Sequence, residues 1–180
     1  VTTQMLMSAR RISASLIVAM LVLAGATGCT PVIKAVTGLT VDADGQPFAV
    51  LSWCADRPPG TVILLAEKRS VSPSPSGTAA SQSWPSWPGR RYAVPRAATS
   101  PTEVRLEGFP PDPAPDPDEA FRMYGVADDN SFTSHAVSFR FAEVADLRPG
   151  SILITEVVDN LDEQRAVSME EFASLAEDEC

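Results

Sequence analysis

Residues 37–54, TGLTVDADGQPFAVLSWC, decide the reading of the fold. Thr37, Leu39 and Val41 alternate with small or polar residues, the period of a strand with one buried face. Asp42-Ala43-Asp44-Gly45 then supplies a run of turn formers. Phe48 to Cys54 rises again as an apolar strand. Strand, turn and strand in so short a span predict an antiparallel pair.

The same grammar continues outward. Arg57-Pro58-Pro59-Gly60 interrupts the chain and Thr61 to Lys68 (TVILLAEK) makes a third strand. From Glu103 to Glu107, Val104 and Leu106 face one way while the charged residues face the other. Phe121 to Val126 is a further strand. In Ser134 to Glu143, residues Val137, Phe139 and Phe141 alternate with Ser138 and Arg140, and His135 shares their face. Leu147-Arg148-Pro149-Gly150 turns the chain into Ser151 to Val158. Short strands between Pro/Gly turns predict an all-β domain, a sandwich or barrel of seven or so strands over residues 35–180. Two stretches, 70–90 and 108–118, are rich in Pro, Ser and Gly and predict long loops. The acidic segment from Asp159 to Glu179 reads as a solvated face.

One helix is signalled, over 168–177. Ser168 and Glu171 have capping-box spacing, and Val167 and Phe172 stand at the positions of a hydrophobic staple. Phe172, Leu175 and Ala176 form its apolar stripe. Glu177, Asp178 and Glu179 oppose the helix dipole, so the helix is expected to stop near Ala176.

The first 28 residues read as an export signal. Arg10 and Arg11 precede an unbroken apolar run, Leu16 to Ala24 (LIVAMLVLA), which is too short to span a bilayer. Ala26-Thr27-Gly28-Cys29 follows and resembles the bacterial lipobox, with Ala26 where Leu is usual. That resemblance implies a lipid on Cys29, a tether over 29–34, and a domain held on the extracytoplasmic face of the plasma membrane. Ala24-Gly25-Ala26 is itself a cleavage site for plain secretion, the alternative. Loss of 1–28 would take the charge from −9 to −11.

Three cysteines are present: Cys29, Cys54 and Cys180. With Cys29 acylated, Cys54 and Cys180 make an even pair, which outside the cytoplasm is most simply a disulfide. The competing reading leaves Cys54 as a buried thiol.

Leu39-Thr40-Val41, Phe48 to Trp53 and Pro58-Pro59-Gly60 are similar to the opening of a fibronectin type III or immunoglobulin-like β-sandwich, in which a strand-B Trp packs across the core. Leu147-x-Pro149-Gly150 resembles a late corner of that fold, without its Tyr. TVDADGQPFAVLSWC…RPPG, MYGVADDNS…HAVSFRFAEVADLRPG and VSMEEFASLAEDEC together resemble uncharacterised lipoproteins of high-GC Gram-positive bacteria. The bias of 12 Arg to 2 Lys agrees with such a genome. The resemblance implies location and fold and carries no activity.

Composition excludes several classes. A net charge of −9 argues against nucleic acid as a partner. One histidine removes His-rich metal sites and paired-histidine catalysis. Asp42-x-Asp44-Gly45 resembles a calcium-loop fragment but lacks the third acid and the distal Glu, so it reads as a hairpin turn. Asp128-Asp129-Asn130 reads as a turn. His135, near Ser131 and Ser134, lacks a nucleophile elbow and reads as structural. No cofactor or metal is expected. The candidate ligand contact is Trp84, Trp87, Arg90, Arg91 and Tyr92, aromatics and arginines in a Pro-rich loop that could stack on sugars. The expected function is a non-enzymatic, envelope-anchored binding or structural module, its partner envelope carbohydrate or another envelope protein. The alternative is an envelope-polymer hydrolase working through carboxylates.

Overall fold

The central strand is β1 (Val32–Val41), where Leu39 and Val41 point to one face and Val36 and Gly38 to the other. The computed structural model describes residues 31–67, 87–159 and 161–178. After β1 come β2 (Pro47–Trp53), β3 (Thr61–Ala66), β4 (Arg90–Ala93), β5 (Thr102–Arg105), β6 (Ala120–Val126), β7 (Phe132–His135) and β8 (Val137–Arg140). Helix α1 (Phe141–Asp146), the hairpin β9 (Ile152–Val158) and β10 (Leu161–Val167), and helix α2 (Met169–Asp178) complete the order. The fold is all-β, as expected.

β1 pairs antiparallel with β2 from Ala35↔Trp53 to Val41↔Pro47, and β2 pairs antiparallel with β5. The other edge of β1 is divided. Its first half pairs in parallel with β7, and Leu39 pairs antiparallel with Leu153 of β9. From β7 the sheet continues through β6 and β3 to β4, with β8 also on β6. Two antiparallel groups, β5-β2-β1 and β4-β3-β6-β7/β8, are thus joined by one parallel seam. The sheet curls into a near-barrel that brings β4 and β5 together.

Strand alternation fills its interior. Leu39 and Val41, Ala49 and Leu51, Val62 and Leu64, Phe121 and Met123, and Val137 and Phe139 all point inward. Phe109, Phe121 and Phe139 form an aromatic stack inside, with centroids 5.1 and 5.7 Å apart. Each such side chain contributes about 1.5–3 kcal/mol on leaving water. Trp53 is half-buried at the end of β2, against this core.

A second core lies outside the barrel, where Val36 and Val50 meet Ile152, Ile154, Val167, Phe172 and Ala176. Gly38 is required there. A Cβ on it would lie 2.3 Å from Ile152 Cγ2 and 3.0 Å from Phe172. The Glu171 amide donates to Ser168 Oγ at 3.1 Å, and Val167 and Phe172 are both buried, as the cap and staple predict. The helix runs to Asp178, past the expected stop at Ala176, because burial of Ala176 holds the last turns against the dipole.

Four other expectations change. β1 starts at Val32, inside the expected tether 29–34. β4 begins at Arg90, the last residue of the expected loop 70–90, and pairs with β3, Tyr92 opposite Val62. The segment read as one strand from Ser134 to Glu143 divides into β7, β8 and α1, and the Arg140 amide donates to Glu143 Oε2 at 2.7 Å where α1 starts. Part of the expected acidic face is β10, paired along its whole length with β9. Residues 108–118 are irregular and mostly exposed, though Phe109 and Pro115 are buried.

Candidate functional site

Two of the expected aromatic contacts, Trp87 and Tyr92, are not exposed. Trp87 is 5% and Tyr92 8% exposed, because alternation along β4 turns Tyr92 inward and Trp87 packs 5.4 Å from Phe109. Both belong to the core, which removes them as ligand contacts. The Tyr92 hydroxyl is buried without a hydrogen-bond partner among the described residues, and burial raises its pKa. Trp84, Cys29 and Cys180 lie outside the described residues. Arg90 and Arg91 are exposed, and Arg90 Nη1 donates to the Glu107 carbonyl at 2.9 Å.

Polar groups collect instead at the two ends of the barrel. At the end where β1 starts, the β2–β3 loop and the loops after β4 and β6 enclose a cleft of about 290 Å³. Pro58, Pro59 and Val94 give it an apolar lining, and Arg57, Arg96 and Asp128 give it charge. Asp128 lies over Gly60, where a Cβ would sit 1.8 Å from its carboxylate oxygen. Arg57 pairs with Asp129. Hydrogen bonds from the Ser131 hydroxyl and amide, and then from Arg57, hold the Asp129 carboxyl down to about 2. A smaller hollow beside it includes Lys34, Asp56 and Cys54. Cys54 is not a free thiol, and its expected partner Cys180 lies outside the described residues.

At the opposite end, beyond the β1–β2 turn, Gln46, Pro47, Arg105, Leu106, Glu107 and Gly108 line a cleft of about 260 Å³. The turn itself is built by Asp42, whose Oδ1 accepts from the Asp44 and Gln46 amides at 2.9 and 2.8 Å. This is the hairpin-turn reading of that acidic motif. Among the described residues no group of three His, Cys, Asp or Glu could hold a metal.

The serine nearest the histidine is structural. Ser134 Oγ accepts from the Gly125 amide at 2.6 Å and lies 2.5 Å from Thr37 Oγ1, all buried inside the barrel. The strand breaks between β7 and β8, so Ser134 and Val137 both face inward and His135 faces away from them. The expected shared face of His135 with Val137 and Phe139 is corrected by that break. On the hairpin, Arg165 Nη2 lies 2.5 Å from Glu156 Oε1 and Arg165 also pairs with Glu171, tying β9 and β10 to α2.

Arg57 and Asp128 read in the sequence only as parts of turns, and Arg96 and Arg105 carry no motif, so nothing in the sequence marked the four as site residues. Comparison of the chain with known protein families, curated proteins and solved structures finds no match. Among the described residues no helix is long and apolar enough to cross a membrane.

Proposed function

We propose that this chain is a membrane-anchored extracytoplasmic lipoprotein, a non-catalytic binding or structural module of the cell envelope. The observation that carries the reading is the order Arg10-Arg11, LIVAMLVLA and Ala-Thr-Gly-Cys29, followed three residues later by the start of β1. A lipid on Cys29 would hold the end of the barrel where β1 begins near the bilayer. The 10 residues of β1 then carry the chain roughly 33 Å away. The cleft at Arg105 and the exposed Arg90 and Arg91 would face outward, toward anionic envelope carbohydrate or another envelope protein.

Two finer points belong to the same reading. The groups β5-β2-β1 and β4-β3-β6-β7 follow the order E-B-A and C′-C-F-G of an immunoglobulin-like or fibronectin type III-like sandwich, which supports that kinship. A Cys54–Cys180 disulfide is supported by alternation. Continued past Trp53, β2 turns Cys54 to the side of Val50 and Ser52, where α2 packs, and α2 ends at Asp178.

Detergent partitioning of membranes from expressing cells tests the anchor. The native chain should enter the detergent phase and Cys29→Ser should leave it. Equal partitioning of the two would overturn the reading.

A further inference from the structure

Among the described residues, large hydrophobic side chains are exposed at Val32, Ile33, Leu65, Val157, Val158, Leu161 and Met169. Five of these seven gather at one end of the barrel. β9 runs antiparallel to β1 from the pair Leu39↔Leu153, so Val157 and Val158 lie toward the end where β1 starts, the end that carries Val32 and Ile33. Leu65 and Met169 are elsewhere. Leu65 is four residues along β3 from Thr61, the residue level with Ile33 through β6 and β7, and Met169 follows the pair Val167↔Ile152.

The tip is not explained by the fold. The base of the hairpin is buried, with Ile152, Ile154 and Val167 under α2. The Glu156–Arg165–Glu171 cluster closes that core, and Val158 and Leu161 pair with each other beyond it. On the other face, Thr155 and Gln164 bond to Ser138 of β8, and Val157 extends past that contact. Val157 is 67% and Leu161 66% exposed. A clustered apolar tip marks a contact surface, unlike scattered single residues.

We propose that Val157, Val158 and Leu161, with Val32 and Ile33, are a bilayer-contact surface seated in the headgroup region beside the anchor. The proposal rests on the lipid at Cys29. Three peptide units separate Cys29 from Val32, so the anchored end can stand no more than roughly 10 Å from the lipidated residue. That is within reach of a tip buried about 5–10 Å into the interface. The charges at this end, Lys34, Arg57 and Arg96 against Asp56, Asp128, Asp129, Asp159, Asp162 and Glu163, sum to −3. The contact is therefore apolar in origin and should form on phosphatidylcholine at least as well as on phosphatidylglycerol.

Brominated-lipid quenching tests it on the full mature chain purified from membranes and reconstituted into phosphatidylcholine vesicles. Leu161→Trp is compared with Leu65→Trp, each read as the signal added to the parent chain, and the N-terminal peptide is weighed in parallel. The added Trp at position 161 should be quenched about twofold more than that at 65, as interfacial burial requires. Equal quenching in protein whose N-terminal peptide carries lipid would overturn the tip contact alone. An N-terminal peptide without lipid would overturn the anchor and the tip contact together. Protection at 161 that grows with protein concentration would assign the tip to a second copy of the chain and overturn the proposal.

Discussion

Strands β4 and β10 are both margins of the same sheet, each paired on one side only, yet they treat their apolar residues in opposite ways. Along β4, Tyr92 turns into the barrel and the flanking Trp87 and Val94 follow it into the core. At the start of β10, Leu161 and its partner Val158 are left exposed. The difference lies in what faces each margin. β4 lies over an aromatic interior contributed by Phe109 and Phe121, whereas the β9–β10 hairpin leaves β1 after a single pair at Leu39↔Leu153. An edge strand is buried by what stands opposite it, and its own composition is secondary.

The largest effect expected is at the β4 margin. Trp87→Ala removes a side chain packed on two phenylalanine rings and should cost about 3–5 kcal/mol in urea unfolding. A loss below 1 kcal/mol would mean that this margin is as open as the other. Gly38→Val comes next. It forces a branched side chain against Ile152 and Phe172 at the base of the hairpin, and overpacking of that kind costs about 1–3 kcal/mol. Protection of β10 amides from hydrogen exchange should fall more than that of β6 amides. A uniform loss would contradict the separation of the inner and outer cores.

Acid should loosen one margin before the other. Hydrogen bonding from Arg165 lowers the Glu156 carboxyl below its usual value of 4.5. A lowered folded pKa contributes stability that is full above the unfolded value and is lost as pH falls through the folded one. Below about 4.5 the clamp between the hairpin and α2 should therefore weaken, read as faster exchange in β10 with β4 unchanged. Simultaneous loosening of both would break the comparison. Smallest of all, Leu161→Ser should leave unfolding stability within about 0.5 kcal/mol, as for an exposed site. A loss above 1.5 kcal/mol would show that the tip is packed after all.

The same contrast explains what was legible in the sequence. β1, β2, β3, β5, β6 and β9 each carry alternation or an apolar run, because each faces a core directly. Ser168, Glu171 and Phe172 marked α2 through a local cap whose partners are all close in sequence. β4 was missed because Arg90-Arg91-Tyr92-Ala93 offers one inward side chain, set beside a Pro-rich stretch. β10 was missed because only Val167 of its seven residues is buried. The start of α1 hid behind Phe139 and Phe141, whose alternation continues a strand pattern until Glu143 accepts from the Arg140 amide. Trp87 and Tyr92 looked like a contact surface since aromatics near arginines fit one. Their burial depends on Phe109, Phe121 and Val62, residues far away in the chain. The clefts at Arg57 and Arg105 depend on loops meeting in space, which no local spacing records.

The proposed anchor would orient both ends of the barrel, and the mass of the mature N-terminal peptide tests it most directly. The account predicts a peptide beginning at Cys29 and carrying a diacylglycerol. An unmodified peptide beginning at Thr27, cut after Ala24-Gly25-Ala26, would contradict it.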